Sequence, residues 1–164
     1  MCLKNRENFS YIFIVRPGRE NKVLKDLYDL LFPFDTSITH ENLSFPSAIF
    51  IKTKISPEKM KLYLQEYPVR HIINVRYIIV EKKISDIFLE DIFHFNQKFS
   101  NIPLNICTCQ TRFHGIRHEI KKKIEEKIKK HCKRHTKEKC FFDVFEDRLL
   151  ISVKIFSIRK NTKI

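Results

Sequence analysis

Glycine occurs only twice in this sequence of 164 residues, at Gly18 and Gly115. A Walker phosphate-binding loop needs two glycines close together, and a dinucleotide-binding fingerprint needs three. Two glycines so far apart in the chain can build neither motif. The sequence therefore argues against folds that hold a nucleotide on a glycine-rich loop, and we expect no cofactor.

The pattern of apolar residues over residues 9–81 predicts the element order β-α-β-β-α-β. Alternating strand and helix signals are separated by strong turn residues such as Arg16-Pro17-Gly18. This order is typical of the split βαβ, or ferredoxin-like, arrangement. The predicted strands are residues 11–15, 36–43, 48–51 and 72–80. The first predicted helix begins at Asn21 or Arg19, and the second begins after an N-cap at Ser56.

Residues 82–164 predict the order α-β-α-β-β. The central helix carries one apolar stripe in an otherwise basic sequence, because Ile116, Ile120, Ile124, Ile128 and Cys132 recur every four residues. The other elements are a helix over residues 85–99 and strands over residues 104–112, 141–145 and 149–156. We therefore expect an α+β chain with an N-terminal ferredoxin-like domain (residues 1–81) and a C-terminal α/β domain (residues 82–164).

Basic residues are concentrated in the second half of the chain. Thirty-two Lys and Arg against nineteen Asp and Glu give a formal net charge of +13 at pH 7. Residues 1–81 account for +3 of this charge and residues 82–164 for +10, and residues 112–139 alone carry +8. Solubility explains an isolated lysine run, but it does not explain so uneven a distribution. The sequence favours a polyanionic partner, and a sugar-phosphate backbone fits it best.

The segment from Thr111 to His118 combines the residue types that RNA recognition requires. A strand that leads through a glycine turn into a helix presents backbone N–H groups to an anion. Arg112 and Arg117 add planar donors for phosphate, and Phe113 and His114 are able to stack on unpaired bases. The alternative is that Phe113 belongs to the core and His114 only to the turn. The lysines expected to extend this surface along the helix are Lys121, Lys122, Lys129 and Lys133.

The same residues resemble a THUMP domain, an RNA-binding module of tRNA-modifying proteins. The likeness lies in the strand that runs into Thr111-Arg112-Phe113, the basic helix over residues 118–135 and the closing strand with Leu149-Leu150-Ile151. The run Phe13-Ile14-Val15-Arg16-Pro17-Gly18-Arg19-Glu20 is similar to the start of stand-alone THUMP adaptors of tRNA cytidine acetyltransferase. The polar Cys/His stretch over residues 133–140 departs from the THUMP pattern.

The resemblance implies tRNA binding, with the acceptor end as a common target. THUMP enzymes carry a separate catalytic domain, such as a methyltransferase, for which we find no residues in this chain. We therefore predict a non-catalytic adaptor that presents tRNA to a separate modifying enzyme, a cytidine acetyltransferase, and predict that the protein is not itself an enzyme. Arg16 and Arg19 are expected to add RNA contacts from the N-terminal domain.

Three alternatives compete with the adaptor. The first is a general nucleic-acid-binding protein. The second is a cofactor-free nuclease with His114 or His118 as general acid or base. The third is a zinc protein. Zinc ligands would come from Cys107, Cys109, His131, Cys132, His135 and Cys140, but their spacing fits a structural zinc site poorly, and we predict no metal.

Five cysteines, an odd number, argue against a closed disulfide framework, and no apolar run approaches the length that spans a membrane. No secretory signal is recognisable at the N-terminus. We expect a cytoplasmic protein, nuclear or nucleolar in a eukaryote, without membrane contact.

Overall fold

The computed structural model describes residues 8–43, 47–83, 108–131, 139–145 and 148–158. These residues form three helices and seven strands, so the predicted mixture of α and β structure is confirmed. In chain order the elements are β1 (Phe9–Val15), α1 (Glu20–Leu31), β2 (Thr39–Asn42), β3 (Ala48–Thr53), α2 (Pro57–Glu66), β4 (Ile72–Lys83), β5 (Thr108–His114), α3 (His118–His131), β6 (Lys139–Phe145) and β7 (Arg148–Ser157). The helix predicted over residues 85–99 lies outside the described residues.

The chain forms two compact units. The first contains the described residues between Met1 and Tyr77 and between Lys154 and Ile164, and the second contains those between Ile78 and Val153. Strands β4 and β7 each pass from one unit into the other. The domain boundary predicted at residue 81 stays a prediction, because compactness does not test whether either part folds by itself.

The first unit has the element order that the sequence predicts, and its strands pair in the order β2-β3-β1-β4. All three pairings are antiparallel. The central strand β1 has no exposed side chain and pairs on both edges, with Phe13 opposite Ile49 of β3 and Val75 of β4. The end of β7 joins the same unit, where the Ile158 N–H donates to the Ile73 carbonyl at 3.2 Å.

Both helices of the first unit follow from local sequence signals. In α1 the buried residues Val23, Leu27 and Leu31 are spaced by four, which places them on one face of the helix. Helix α2 begins at Pro57 after Ser56, whose hydroxyl accepts a hydrogen bond from the Lys59 N–H, as predicted for an N-cap. These faces and the inner face of the sheet form one apolar core.

A buried carboxylate closes the edge of this core. Asp35 is 7% exposed and accepts hydrogen bonds from the hydroxyls of Ser37 and Thr53 and from the backbone N–H groups of Ser37 and Lys54. Burial by itself raises the pKa of Asp35, but these donors outweigh burial and hold the pKa well below its usual value. Asp35 thereby ties the loop after α1 to the end of β3.

The second unit pairs its strands in the order β4-β7-β6-β5. Strands β6 and β7 are antiparallel, whereas β5 and β6 are parallel and are separated in the chain by α3. A parallel pair needs such a crossover, so β5, α3 and β6 form a βαβ unit. An ion pair between Arg148 and Glu81, with 2.6 Å between Nη2 and Oε1, links β7 to β4.

The apolar stripe predicted on α3 is only partly buried. Ile124 is 3% exposed, but Ile120 is 37% exposed, and the side chains of Ile128 and Cys132 lie outside the described set. A repeat of four residues advances about 40° further around a 3.6-residue helix at every step. The isoleucines therefore wind around the helix, and among those with described side chains only Ile124 is fully buried.

Candidate nucleic-acid interface

The turn between β5 and α3 presents two arginines at one end of the βαβ unit. Arg112 lies near the carboxyl end of β5, and Arg117 directly precedes α3. Between them Gly115 has a φ of 66°, a left-handed conformation that glycine adopts without steric cost. The Lys121 N–H donates to the Arg117 carbonyl at 3.1 Å, so the helix begins immediately after this turn.

Side chains around this turn are mostly in contact with solvent. Arg112, Arg117 and Lys122, which the sequence predicts to bind phosphate, are all exposed, and so is His118. The first turn of α3 contains a single acidic residue, Glu119. Guanidinium groups bind phosphate with two parallel hydrogen bonds, and the start of a helix favours negative charge. The turn is thus chemically suited to an anion.

The sequence leaves open whether Phe113 belongs to the core or is free to stack on a base, and the structure shows an intermediate position. It is half-buried, and the Lys121 Nζ lies 5.5 Å from its ring centroid, in the range of a cation–π contact. Neighbouring residues of a strand point to opposite faces, so exposed Arg112 and half-buried Phe113 follow from the alternation of β5. The contact holds the ammonium group of Lys121 beside the turn.

The remaining predicted residues of this surface stay predictions. The side chains of His114 and Lys129 are outside the described set although their backbones are in β5 and α3, and Lys133 lies outside the described residues. The same holds for three of the proposed zinc ligands, Cys107, Cys132 and His135. Among the residues that the structure does describe, no group of three or more His, Cys, Asp or Glu side chains could hold a metal ion.

Arg16 and Arg19, predicted to contact RNA from the first unit, form a second group of basic residues. Both are exposed in the turn between β1 and α1, where Gly18 has a φ of 76°. The Arg16 N–H donates to the His71 carbonyl at 2.9 Å, which brings residues 70 and 71 to the same place. Three further residues of this group were not predicted from the sequence: Lys22 follows Arg19 in the first turn of α1, and the pairing of β1 with β4 brings Arg70 and His71 near these arginines.

The positive charge of this group acts on the imidazole of His71. Burial lowers the pKa of His71, and the charges of Arg19, Arg16, Lys22 and Arg70 lower it further. His71 is therefore held in its neutral form over a wider pH range than a free histidine. A bound anion would remove part of this repulsion.

Solved structures with a similar fold are much longer than this chain. TrmN from Thermus thermophilus has a TM-score of 0.62 and 13% sequence identity, and the match covers 91% of this chain and 46% of TrmN. For PH1313 from Pyrococcus horikoshii Ot3 the TM-score is 0.57 and the identity 17%, covering 91% and 55% of the two chains. A predicted N6-adenine-specific DNA methylase from Listeria monocytogenes str. 4b F2365 has a TM-score of 0.53 and 10% sequence identity. The match covers 90% of this chain and 40% of the methylase.

Identities this low show a shared fold alone, and this chain spans about half of the length of these structures or less. The likeness to TrmN and PH1313 agrees with a THUMP-like fold. The names methylase or methyltransferase recur among further similar structures, one of which was solved in complex with SAH. No protein-family model matches the sequence, and no curated protein does. Within the described residues, no helix is long and apolar enough to cross a membrane.

These similar structures correct two predictions from the sequence. The non-catalytic adaptor for a cytidine acetyltransferase is wrong, and so is the prediction that the protein is not an enzyme, because several of the structures with a similar fold are named as methylases or methyltransferases. The error came from excluding an enzyme on the lack of glycine-rich loops and of residues for a catalytic domain. The absence of a phosphate-binding loop excludes only one kind of nucleotide site. This chain also spans only about half of the length of the similar structures, so its residues alone do not reveal what the longer proteins do.

Proposed function

We propose that this chain holds tRNA for a methyltransferase-type modification, as the RNA-binding portion of the enzyme that carries it out. The observation that carries this proposal is the pair of exposed arginines around the Gly115 turn, at the start of a basic helix. The similarity to TrmN, whose name designates a tRNA methyltransferase, supports tRNA as the nucleic acid. The THUMP resemblance of residues 111–153 implies the same substrate.

In this proposal the residues of the second unit hold the RNA backbone. Arg112 and Arg117 bind phosphate, while Lys121, Lys122, Lys129 and Lys133 add attraction along α3 and beyond it. Phosphate contacts of this kind position a nucleic acid and do not read its sequence. Selection of tRNA must then come from its shape and from its single-stranded 3′ end, on which Phe113 and His114 stack.

The proposal includes the division into domains. Residues 1–81 form a ferredoxin-like domain, which the antiparallel order β2-β3-β1-β4 supports, and residues 82–164 form the THUMP-like domain. The methyl group would come from an S-adenosyl donor, as the SAH complex of one similar structure suggests. We assign no residue of this chain to the donor.

Binding tests the RNA half of the proposal. Intact tRNA, tRNA without its 3′ end and duplex DNA are compared at about 50 mM and about 200 mM salt, because phosphate contacts weaken as salt rises. We expect a preference for intact tRNA that persists at the higher salt. Equal binding to all three that is lost at the higher salt would leave only a general attraction to polyanions.

Nucleoside analysis tests the methylation half. Bulk tRNA from cells with and without the gene is digested and compared by mass spectrometry. We expect one methylated nucleoside to disappear and to return with the wild-type gene but not with an Arg112→Ala/Arg117→Ala variant. Loss of a nucleoside with another modification, or of none, would contradict the methyl-transfer assignment.

A further inference from the structure

The pairing of β1 with β4 brings three segments of the chain together at one end of the first unit's sheet. The last pair of the β1/β4 ladder joins Val15 and Ile72. Just beyond it, the Arg16 N–H donates to the His71 carbonyl at 2.9 Å, and the Arg19 N–H donates to the Arg16 carbonyl at 3.1 Å. The turn after β1, the first turn of α1 and the residues before β4 therefore share this place.

These segments contribute a group of positive charges, which we call the N-terminal basic cluster: Arg16, Arg19, Lys22 and Arg70 around His71. All four cations are exposed, and His71 is half-buried. The charges of all four lower the pKa of this imidazole, in agreement with the backbone contacts that bring these segments together. Among the described residues none of the four forms an ion pair with a carboxylate.

The neighbouring carboxylate of Glu20 is held by backbone N–H groups. Its Oε1 accepts a hydrogen bond from the Ser47 N–H at 3.1 Å, and backbone N–H groups lower its pKa. Glu20 is not among the charges that act on His71. Binding of a counter-charge lowers the free energy of four like charges that repel one another. A phosphate group is the anion that guanidinium groups fit best.

We propose that the N-terminal basic cluster is a phosphate-binding site of its own, which takes adjacent phosphodiester groups of an RNA backbone. The proposal rests on the proposed function for the identity of the RNA, since the cluster itself recognises only phosphate. It extends the predicted contact of Arg16 and Arg19 by three residues, Lys22, Arg70 and His71. Three separate segments supply its groups, so the site exists only in the folded unit.

The imidazole gives the site a property that a patch of lysines and arginines lacks. A phosphodiester placed among the four cations cancels part of their charge, so His71 binds a proton more readily in the complex than in the free protein. By linkage, RNA must then bind more tightly as the pH falls. The charges that lower the pKa of His71 come from those four cations, in the turn, in α1 and in the segment before β4.

The first test compares tRNA binding by the full chain and by the variant Arg16→Ala/Arg70→Ala. We expect about a tenfold loss of affinity, and a decrease of about 2 in the slope of log affinity against log salt. Lys25→Ala/Lys61→Ala is the matched control, because it also removes two exposed cations of the first unit that do not act on His71. All these side chains are exposed, so equal melting temperatures are expected.

The second test measures the same binding at about pH 8 and about pH 6 for the wild type and for His71→Asn. His71 has a φ of 71°, and asparagine tolerates this left-handed conformation. We expect the gain in affinity at the lower pH to be smaller in the variant than in the wild type.

The outcomes separate this site from the proposed function. If the wild type binds tRNA and Arg16→Ala/Arg70→Ala behaves like its control, the cluster is no phosphate site although the proposed function stands. An unchanged pH response in His71→Asn would likewise remove His71 from the site. If the wild type binds no tRNA at all, the proposed function fails first, and this inference fails with it.

Discussion

The two units of the molecule contain similar elements but use them differently. In the first unit α1 buries Val23, Leu27 and Leu31, and β1 has almost no exposed side chain. In the second unit, Ile124 is the only residue of α3 with a described side chain that is fully buried, and most of its neighbours are exposed. The first helix mainly stabilises its unit, whereas the third mainly presents charge.

This difference indicates that exposed charged residues can be substituted without loss of the fold, whereas buried core residues cannot. Lysines on the exposed face of a helix repel one another, and each costs a little stability. Binding of a polyanion would relieve this repulsion. In the first unit, four of the basic residues instead form the N-terminal basic cluster. In both units, truncation of a buried side chain should therefore lower stability, whereas removal of exposed cations should lower RNA affinity.

Truncation in the first core should have the largest effect. Phe13 is 0% exposed in the central strand, so Phe13→Ala should lower the free energy of unfolding by about 3–5 kcal/mol. Phe32→Ala is the control, because Phe32 is 50% exposed and its loss should change stability by less than about 0.5 kcal/mol. Denaturant titration measures both. Equal losses would mean that β1 is not the centre of the core.

A pair of isoleucines on α3 tests the second unit. Ile124→Ala should cost about 2–4 kcal/mol because Ile124 is 3% exposed, whereas Ile120→Ala should cost about 1 kcal/mol or less because Ile120 is 37% exposed. Thermal unfolding measures the difference between them. If Ile124→Ala weakened tRNA binding at an unchanged melting temperature, Ile124 would belong to the RNA surface and not to the core.

Local signals predicted the first unit well. The Ser56 cap, Pro57 at the first helical position and the apolar spacing in α1 act within a few residues, so the sequence displays them directly. The observed β2 is shorter than the strand predicted over residues 36–43, since Asp35 and Ser37 hold the preceding loop by hydrogen bonds. Such side-chain contacts are invisible to a search for periodicity.

Non-local pairing explains what the sequence did not show. The parallel pairing of β5 with β6 joins strands that lie on either side of α3, and hydrophobic patterning alone does not specify that register. His71 and Arg70 are far from Arg16 in the chain, so their charges seemed unrelated until β1 and β4 were paired. The arginines of the β5–α3 turn could be predicted as neighbours because the strand, the glycine and the helix follow one another directly in the sequence.

Asp35 provides a pH-dependent test of the first unit. Its pKa is held below the usual value of about 4 in the folded state, so its contribution to stability is complete above that pH and is lost as the pH falls towards the folded pKa. Asp35→Asn should cost about 2 kcal/mol at neutral pH and should remove this acid dependence. Asp29→Asn, at an exposed position in α1, should do neither. Urea titrations from about pH 7 down to about pH 3 decide the question.

The last contrast lies within the RNA surface itself, between arginines at the turn and a lysine on the helix. Arg112→Ala and Arg117→Ala should each weaken tRNA binding about tenfold, since a guanidinium forms paired hydrogen bonds with phosphate in a fixed geometry. Lys122→Ala should weaken it about twofold to threefold, because an exposed ammonium group acts through screened charge alone. Arg112→Lys separates the two causes, because it keeps the charge and removes the fork.

Filter binding at constant ionic strength measures all four variants. If Arg112→Lys binds as weakly as Arg112→Ala, the geometry of the turn determines affinity and the turn is a site for a particular phosphate. If every variant loses the same small factor, the surface attracts the RNA backbone diffusely, and recognition of tRNA must reside in other residues.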